Sequence, residues 1–257
     1  MSEPTVLTAD HGAVRLLTIN RPEARNALSH TLIRELYAAL ADADDDAGVH
    51  AVVLTGADPA FCAGVDLKEA ARDGAAYFDE FRSQSCIAKV AEMRTPILGA
   101  INGAVFTGGL EMALGCDFLI ASERAVFADT HARVGILPGG GMTARLPQVV
   151  GAAMARRMSM TGEVIDAARA ERLGLVTEVV AHDRLVKRGV ELAAQIAEVP
   201  ADTMTDLKEI YARGAEPTLT PALHAEQDIA GARPRDFDGL RGRFDAVSMR
   251  NRAQIAD

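Results

Sequence analysis

The sequence predicts a mixed α/β fold in which strand–strand–helix units repeat, followed by a helical C-terminal part. Short apolar runs bounded by Gly, Pro or Asn alternate with helical patterns up to about residue 135. After Pro147 the pattern is almost wholly helical, with one strand-like break at 176–180. The composition shifts near residue 200, so we divide the 257-residue chain into a core domain at 1–199 and a helical subdomain at 200–257.

The composition excludes several classes of function. Hydrophobic residues make up 49% of the chain but aromatic residues only 4%, so the core must consist mostly of Ala, Val, Leu and Ile. The net charge is −9 and no basic block is present, which argues against a nucleic-acid-binding or anionic-membrane-binding surface. A local basic patch for a phosphorylated ligand remains compatible with this charge.

The cysteines and the N-terminus indicate a cytoplasmic protein. Cys62, Cys86 and Cys116 are odd in number and include no CxxC pair, so we expect buried, unpaired thiols in a reducing compartment. The N-terminus has neither the basic nor the apolar region of a secretory signal. No apolar run approaches the ~20 residues that a membrane span needs.

The N-terminal elements follow directly from local patterns. Residues 6–8 and 14–19 are strand-like runs on either side of a turn at Gly12, which predicts a hairpin. Ser29 suits the N-cap of an amphipathic helix whose apolar face carries the residues that follow. That face consists of Leu32, Ile33, Leu36, Tyr37 and Leu40. The acidic run at 42–46 is interpreted as a solvated helix end.

The middle of the chain alternates strands with loops and helices. Residues 51–55 predict a strand, and residues 56–69 predict a turn-rich loop followed by a helix start. Further strands are expected at 97–101, 118–121 and 125–127. Residues 76–94 have a helical pattern of mixed polarity, and we expect this segment to be mobile and to border a substrate. Later helices are expected at 151–160, 166–172, 182–198, 201–213, 219–230 and 236–252, with Pro217 and Pro221 among the prolines that interrupt them.

A glycine pair at a helix start is the strongest functional signal. Thr107 is followed by Gly108 and Gly109 and then by an apolar helical pattern with one charge, Glu111. Such a start leaves unpaired N–H groups and the positive end of the helix dipole facing a ligand, which favours negative charge on a bound oxygen. An oxyanion donor beside a general base is an enzymatic arrangement.

The motifs RPEARNAL at 21–28, AFCAGVDLKE at 60–69, INGAVFTGGLEMALGCD at 101–117 and FADTHARVGILPGGG at 127–141 occur in this order. With them the chain resembles the crotonase (enoyl-CoA hydratase/isomerase) superfamily over nearly its whole length. The resemblance implies a spiral of ββα turns with two roughly perpendicular sheets. It also implies a C-terminal helical part that packs trimers, and hence a homotrimer or a dimer of trimers.

The same resemblance assigns the chemistry to particular residues. The backbone N–H groups of Val65 and Gly108 are the expected oxyanion hole, and Glu111 is the expected general base. The alternative for Gly108 is a glycine needed only for tight packing between helix and strand. The alternative for Glu111 is a surface charge favoured by the helix dipole, although the apolar residues around it make full exposure less favourable.

His131 departs from the family pattern. Hydratases of this family usually carry a second glutamate at this position, ahead of the Gly-x-x-Pro-Gly turn at 135–139. A histidine could supply or relay the proton to the α carbon, or it could only hydrogen-bond and fill space, and both alternatives stay open. Asp129 suits the N-cap of the following helix, or it could hydrogen-bond His131.

The resemblance also indicates where coenzyme A contacts the chain. The expected contacts are Arg25, Ala27, Ala63, Asp66, Leu67 and Lys68, although Arg25 and Lys68 could be solvated charges only. Basic residues near the C-terminus either add phosphate contacts or belong to a charged amphipathic helix; they are Arg241, Arg243, Arg250 and Arg252. The glycine run at 139–141 lacks the spacing of a phosphate loop and suits a tight turn. No metal or redox cofactor is implied, since coenzyme A is part of the substrate.

The leading functional hypothesis is hydration of a 2-enoyl-CoA thioester, a step of fatty acid metabolism. One alternative is an enoyl-CoA isomerase, which needs a single base to move a proton between carbons. Another is an acyl-CoA-binding protein without catalytic activity. The retained Glu111 argues against the last alternative, and the missing second carboxylate argues for it.

Overall fold

The computed structural model describes residues 3–233 and 239–256, without the side chains of residues 80–83, 240, 241 and 256. Within these ranges the chain forms ten strands. They are β1 (Val6–His11), β2 (Val14–Ile19), β3 (Ala51–Gly56), β4 (Ala60–Cys62), β5 (Ile97–Ile101), β6 (Ala104–Phe106), β7 (Phe118–Ser122), β8 (Val126–Ala128), β9 (Ile165–Asp166) and β10 (Glu178–Val180).

The described residues also form twelve α-helices and two short 3₁₀ turns, Pro22–Ala24 and His182–Arg184. The helices are α1 (His30–Asp45), α2 (Leu67–Asp73), α3 (Ala75–Ser83), α4 (Cys86–Glu92), α5 (Gly108–Ala113), α6 (His131–Val134), α7 (Met142–Val150), α8 (Ala152–Thr161), α9 (Ala167–Arg172), α10 (Leu185–Ala197), α11 (Ala201–Ala232) and α12 (Leu240–Ala256). The helix expected at 236–252 is confirmed by α12 from Leu240 onward, and residues 236–238 of that expectation lie outside the described ranges.

The larger sheet has the strand order β1-β2-β3-β5-β7-β10. β1 and β2 form the predicted antiparallel hairpin, and the other neighbours are parallel. β3 is buried along its length because Val52 and Leu54 belong to the main core, while Val53 packs with Leu185 and Ala193 of α10 on the other face. Burial on both faces explains why β3 reads as a continuous apolar run rather than an alternating one.

The smaller sheet, β4-β6-β8-β9, was only partly predicted. β8 confirms the strand expected near 125–127. The helix start expected by residue 69 is confirmed by α2, but the loop expected before it also contains a strand that was not predicted, β4. A strand of three residues is too short to show a two-residue period, and β6 was not predicted for the same reason.

The predicted strand–strand–helix repeat is confirmed in three successive units. Each unit places one strand in the larger sheet and the next in the smaller sheet before its helix: β3-β4-α2, β5-β6-α5 and β7-β8-α6. β4, β6 and β8 pair in parallel. Their carboxyl ends therefore meet at one edge of the smaller sheet, where parallel sheets commonly form binding sites.

The acidic run at 42–46 is not simply a solvated helix end. The Asp44 side chain is buried and accepts hydrogen bonds from Lys89 Nζ at 2.9 Å and from the backbone N–H groups of Arg94 and Thr95, both at 2.8 Å. Asp42 bonds Arg15 instead. Asp44 thus ties the end of α1 to α4 and to the segment before β5, which sequence periodicity could not show.

The two helices expected at 201–213 and 219–230 form one helix, α11, that contains Pro217 and Pro221. Both prolines are exposed and lie four residues apart, on the same side of the helix. The backbone carbonyls that lose a partner therefore face solvent and can bond water instead. For this reason the prolines do not end the helix.

The cysteines differ slightly from the expectation. All three are free thiols, but only Cys62 and Cys86 are fully buried, and Cys116 is partly exposed. None of the helices in the described ranges combines the length and hydropathy that crossing a bilayer requires.

Candidate active site

A cavity of about 1130 Å³ opens where the carboxyl ends of β4, β6 and β8 meet. Segments following these strands, the 21–27 segment, α4 and α12 all contribute to its wall. The cavity brings together every site residue expected from the sequence: Arg25, Ala27, Ala63, Val65, Asp66, Leu67, Lys68, Gly108, Glu111 and His131. The segment at 76–94, expected to border the substrate, is helical and lines the cavity through Phe78, Ser85, Ile87, Ala88, Ala91 and Glu92.

The N–H groups of Val65 and Gly108 are free to face this cavity. Leu28 forms a parallel bridge with Val65. The Leu28 N–H donates to the carbonyl of residue 64 at 2.8 Å, and the residue 66 N–H donates to Leu28 at 3.3 Å. Gly108 opens α5, where the first N–H groups have no partner within the helix. Neither N–H has a backbone acceptor in the part of the chain that the structure describes.

Two neighbouring residues, for which the sequence predicted no role of their own, bring these donors together. Gly64 has φ +90°, and a Cβ placed on it would lie 2.0 Å from Thr107 Oγ1 and 3.3 Å from the N atom of Gly108. Only glycine fits there. Thr107 has φ +47° and ψ −119°, an unfavourable conformation for a β-branched residue, at the point where β6 passes into α5.

Glu111 is buried and held by backbone donors. Its Oε1 accepts from the N–H groups of Gly140 at 2.8 Å, Gly139 at 3.2 Å and Met142 at 3.4 Å. We call residues 139–143 the glycine turn. Burial raises the pKa of Glu111, and the nearby His131 opposes this effect. A Cβ on Gly140 would lie 2.7 Å from Glu111 Oε2, so the turn needs glycine there to approach the carboxylate.

His131 lies between two carboxylates. Its Nδ1 is 2.7 Å from Asp129 Oδ1, and its Nε2 is 3.7 Å from Glu111 Oε2. Burial lowers the pKa of His131, but the charges of Glu111 and Asp129 outweigh burial and raise it to about 9. The imidazole is therefore protonated at neutral pH and donates to Asp129.

Asp129 does not occupy the N-cap of α6, which is Thr130. Of the two roles considered for Asp129, the structure shows the hydrogen bond to His131. Its carboxylate also accepts from the backbone N–H of His131 at 3.2 Å. Burial acts to raise the pKa of Asp129, but the hydrogen bonds from His131 and Ser159 and the charge of His131 together outweigh burial, so the pKa is lowered. Asp129 is thus an anion that orients the imidazole.

Glu226 of α11 is a further buried carboxylate near the site. It is 7% exposed, and it accepts hydrogen bonds from the N–H groups of Gly141 and Thr143 in the glycine turn, both at 2.6 Å. Sequence analysis missed it because its neighbours His224, Ala225 and Gln227 are exposed and give no apolar pattern around it.

The expected coenzyme A contacts fall into two kinds. Arg25 and Lys68 are exposed at the cavity wall, and neither has an ion-pair partner within residues 3–233 and 239–256. Asp66 is buried and caps α2 through the N–H groups of Lys68 at 3.1 Å and Glu69 at 3.3 Å. Its second oxygen accepts from Arg21 at 3.1 Å, so its carboxylate is already occupied.

The C-terminal arginines differ in their environments. Arg252 lines the cavity. Arg243 donates to the carbonyl of Val134 at the end of α6, and Arg250 donates to the carbonyls of residues 161 and 162 at the end of α8. Cations at helix C-termini are favourable, so these two have structural roles. The side chain of Arg241 lies outside the described residues. Across the described ranges, no group of His, Cys, Asp and Glu side chains has the arrangement of a metal site.

The sequence of this chain is similar to that of known proteins over most of its length. The family model described as enoyl-CoA hydratase/isomerase matches residues 9–239. The chain is 42% identical over 231 residues to a probable enoyl-CoA hydratase of Rhizobium meliloti, covering 89% of each chain. It is 35% identical over 225 residues to a probable peroxisomal enoyl-CoA hydratase of Arabidopsis thaliana, covering 87% of this chain and 84% of that one.

Solved structures agree with the sequence relatives. An enoyl-CoA hydratase from Mycobacterium smegmatis superposes with a TM-score of 0.80 at 45% identity, over 93% of this chain and 100% of that chain. An enoyl-CoA hydratase from Mycobacterium tuberculosis gives a TM-score of 0.80 at 48% identity, over 88% of this chain and 97% of that chain.

Proposed function

The chain belongs to the enoyl-CoA hydratase/isomerase family, and we propose that it adds water across the C2=C3 bond of a 2-enoyl-CoA thioester. The observation that carries the proposal is the meeting of four groups in one cavity. Two unpaired N–H groups, at Val65 and Gly108, share it with the Glu111 carboxyl group and the His131 imidazole. Each group corresponds to one requirement of the hydration.

The N–H groups of Val65 and Gly108 bind the thioester oxygen. As water adds at C3, electrons move onto this oxygen to form an enolate, and fixed N–H donors stabilise the enolate more than the starting thioester. A single donor of this kind is typically worth about 3–4 kcal/mol of barrier. The strained backbone at Thr107 contributes by fixing the direction of the Gly108 N–H.

Glu111 and His131 move the two protons. Glu111 removes a proton from water as the water oxygen bonds to C3, using Oε2, since Oε1 is held by the glycine turn. His131 then gives its Nε2 proton to C2 and becomes neutral. The Oε2 and Nε2 atoms are 3.7 Å apart, so the proton on Glu111 can return to His131 after a small movement and restore both groups.

An isomerase is the second candidate, because histidine occupies the position of the usual second carboxylate and leaves Glu111 to shuttle a proton between carbons. Crotonyl-CoA distinguishes a hydratase from a protein that only binds acyl-CoA. The hydratase removes the absorbance of the conjugated thioester, and the binding protein does not. A 3-enoyl-CoA substrate gives the conjugated product only with isomerase activity. If the crotonyl-CoA absorbance does not decrease at any enzyme concentration, the hydratase proposal is excluded.

We also propose that the enzyme works in the cytoplasm as a homotrimer or a dimer of trimers. Large apolar side chains are exposed on the last two helices, which suits burial against another subunit. They are Leu207, Ile210, Tyr211, Ile229 and Met249. Sedimentation should give the mass of three or six chains, and a stable monomer at micromolar concentration would contradict the proposal.

A further inference from the structure

Two carboxylates divide the N–H groups of the glycine turn between them. The N–H groups of residues 139, 140 and 142 point to Glu111 Oε1, at 3.2, 2.8 and 3.4 Å. Those of residues 141 and 143 point to the two oxygens of Glu226, both at 2.6 Å, and Thr143 Oγ1 also donates to Glu226 Oε2 at 2.5 Å. The backbone that holds Glu111 is thus itself held by Glu226.

The start of α7 has no capping side chain of its own. Its N-cap is Gly141, with φ +103° and no capping side chain. The carboxylate of Glu226, 83 residues beyond Thr143 in sequence, takes the place of a local cap, and its charge suits the positive end of the helix dipole. Without it, two N–H groups of the turn would lose their partner.

We propose that Glu226 is a positioning residue: it holds the glycine turn in place, and the glycine turn orients Glu111 toward the substrate. The inference rests on the proposed hydratase function. Glu226 lies on α11, within the helical C-terminal part, so this part contributes to catalysis from within the same chain. Glu226 touches neither the substrate nor the reacting atoms, and it acts only through the turn and through its charge.

The charge of Glu226 provides a distinctive signature. The charged groups that influence Glu111 are His131, Asp129 and Glu226, together with Arg145 of α7, whose Nη1 donates to the carbonyl of Gly140 at 2.9 Å. Repulsion from Glu226 favours the protonated form of Glu111 and raises its pKa. Removing this charge should therefore keep Glu111 ionised at lower pH and move the acid limb of activity downward.

The test compares Glu226→Gln with wild type on crotonyl-CoA across pH. Gln places an NH₂ group against one of the backbone donors, so the turn shifts. We expect kcat to fall about 10- to 100-fold, the size typical of a small misplacement of a catalytic group. KM should change little, because the expected coenzyme A contacts lie elsewhere in the cavity. The acid limb should move to lower pH.

Two further variants separate geometry from charge. Glu226→Asp keeps the charge but shortens the reach, so kcat should fall while the acid limb stays in place. Thr143→Val removes the hydroxyl donor and should lower kcat several-fold without a pH shift. Glu216→Gln, at an exposed position on the same helix, is the matched control and should behave as wild type.

The outcomes are distinguishable. Glu226→Gln with the wild-type kcat and pH profile, and only a lower melting temperature, would show that Glu226 is merely structural. If this variant does not fold, wild-type kcat in both Glu226→Asp and Thr143→Val would equally overturn the inference. A wild-type protein that does not hydrate crotonyl-CoA contradicts the proposed function instead.

Discussion

Two clusters in this molecule each place a buried cationic side chain among carboxylates, and they differ in how far those carboxylates are exposed. In the first, Arg15 bonds Asp10 and Asp42 at 2.8 Å and Asp46 at 3.0 Å, and these carboxylates are 51%, 77% and 43% exposed. In the second, His131 lies between Asp129 and Glu111, and all three side chains are buried.

The difference shows that burial, rather than the number of ion pairs, decides what a charge cluster does. Exposed pairs are screened by water, and each typically contributes about 0–1 kcal/mol to stability. In the buried cluster, desolvation and close charges act with little such screening. Burial raises the pKa of Glu111, and the neighbouring carboxylates raise the pKa of His131 to about 9. The first cluster fastens α1 to the hairpin, and the second can perform acid–base chemistry.

The largest expected effect is that of Glu111→Gln in the buried cluster. The amide keeps the shape and removes the base, so turnover on a 2-enoyl-CoA should fall at least about 100-fold, equivalent to about 2.7 kcal/mol of barrier. Binding of the CoA ester, measured by titration calorimetry, should remain largely intact. Glu123→Gln, at an exposed position, serves as control. Wild-type turnover in Glu111→Gln would remove the main support for the mechanism.

The next effect concerns the protonation of His131. Because its raised pKa is about 9, the imidazolium should persist at neutral pH, and turnover should fall as the pH rises through about 9. His131→Ala should remove this basic limb and lower turnover. His131→Glu restores the usual pair of carboxylates and should be tolerated. Measured pH–rate profiles decide the matter: an unchanged limb in His131→Ala would show that His131 only fills space.

The smallest effect tests the comparison on stability alone, using two aspartates from one turn of α1. Asp44→Asn weakens hydrogen bonds to a buried carboxylate and should cost about 1–3 kcal/mol of unfolding free energy. Asp42→Asn removes an exposed carboxylate from Arg15, which keeps Asp10 and Asp46, and should cost less than about 1 kcal/mol. Urea denaturation at pH 7 measures both. Equal losses in the two variants would mean that burial does not separate them.

The pH dependence of this difference has a definite sign. Burial acts to raise the pKa of Asp44, but the hydrogen bonds from Thr95, Lys89 and Arg94 and the charge of Lys89 together outweigh burial, so the pKa is lowered on folding. A lowered pKa contributes stability above the unfolded value, ~3.9, and this stability is lost as the pH falls through the folded value. The difference in unfolding free energy between Asp44→Asn and Asp42→Asn should therefore become smaller below about pH 4.

Local sequence determined those features whose physical cause is local. The hairpin follows from two β-type runs around Gly12, and α1 follows from its apolar face and the Ser29 cap, which accepts from Leu32 N–H. The cavity residues were predicted through the family resemblance of the motifs that contain them, and not from local physical patterns. The oxyanion hole, the coenzyme A contacts and the division at 199/200 stay predictions for experiment to test.

Tertiary structure alone decided the features that depend on distant partners. β4 and β6 are too short to show a period, and they exist because parallel neighbours complete their hydrogen bonds. The sequence around Glu226 and Asp44 does not indicate that they are buried, because their hydrogen-bond donors are distant in sequence. The donors to Glu226 lie 83 to 85 residues away, and those to Asp44 lie 45 to 51 residues away. The pKa of His131 likewise depends on which charges the fold brings near it. The sequence specifies which titratable side chains are present, but their distances and burial in the folded chain determine which of them are charged.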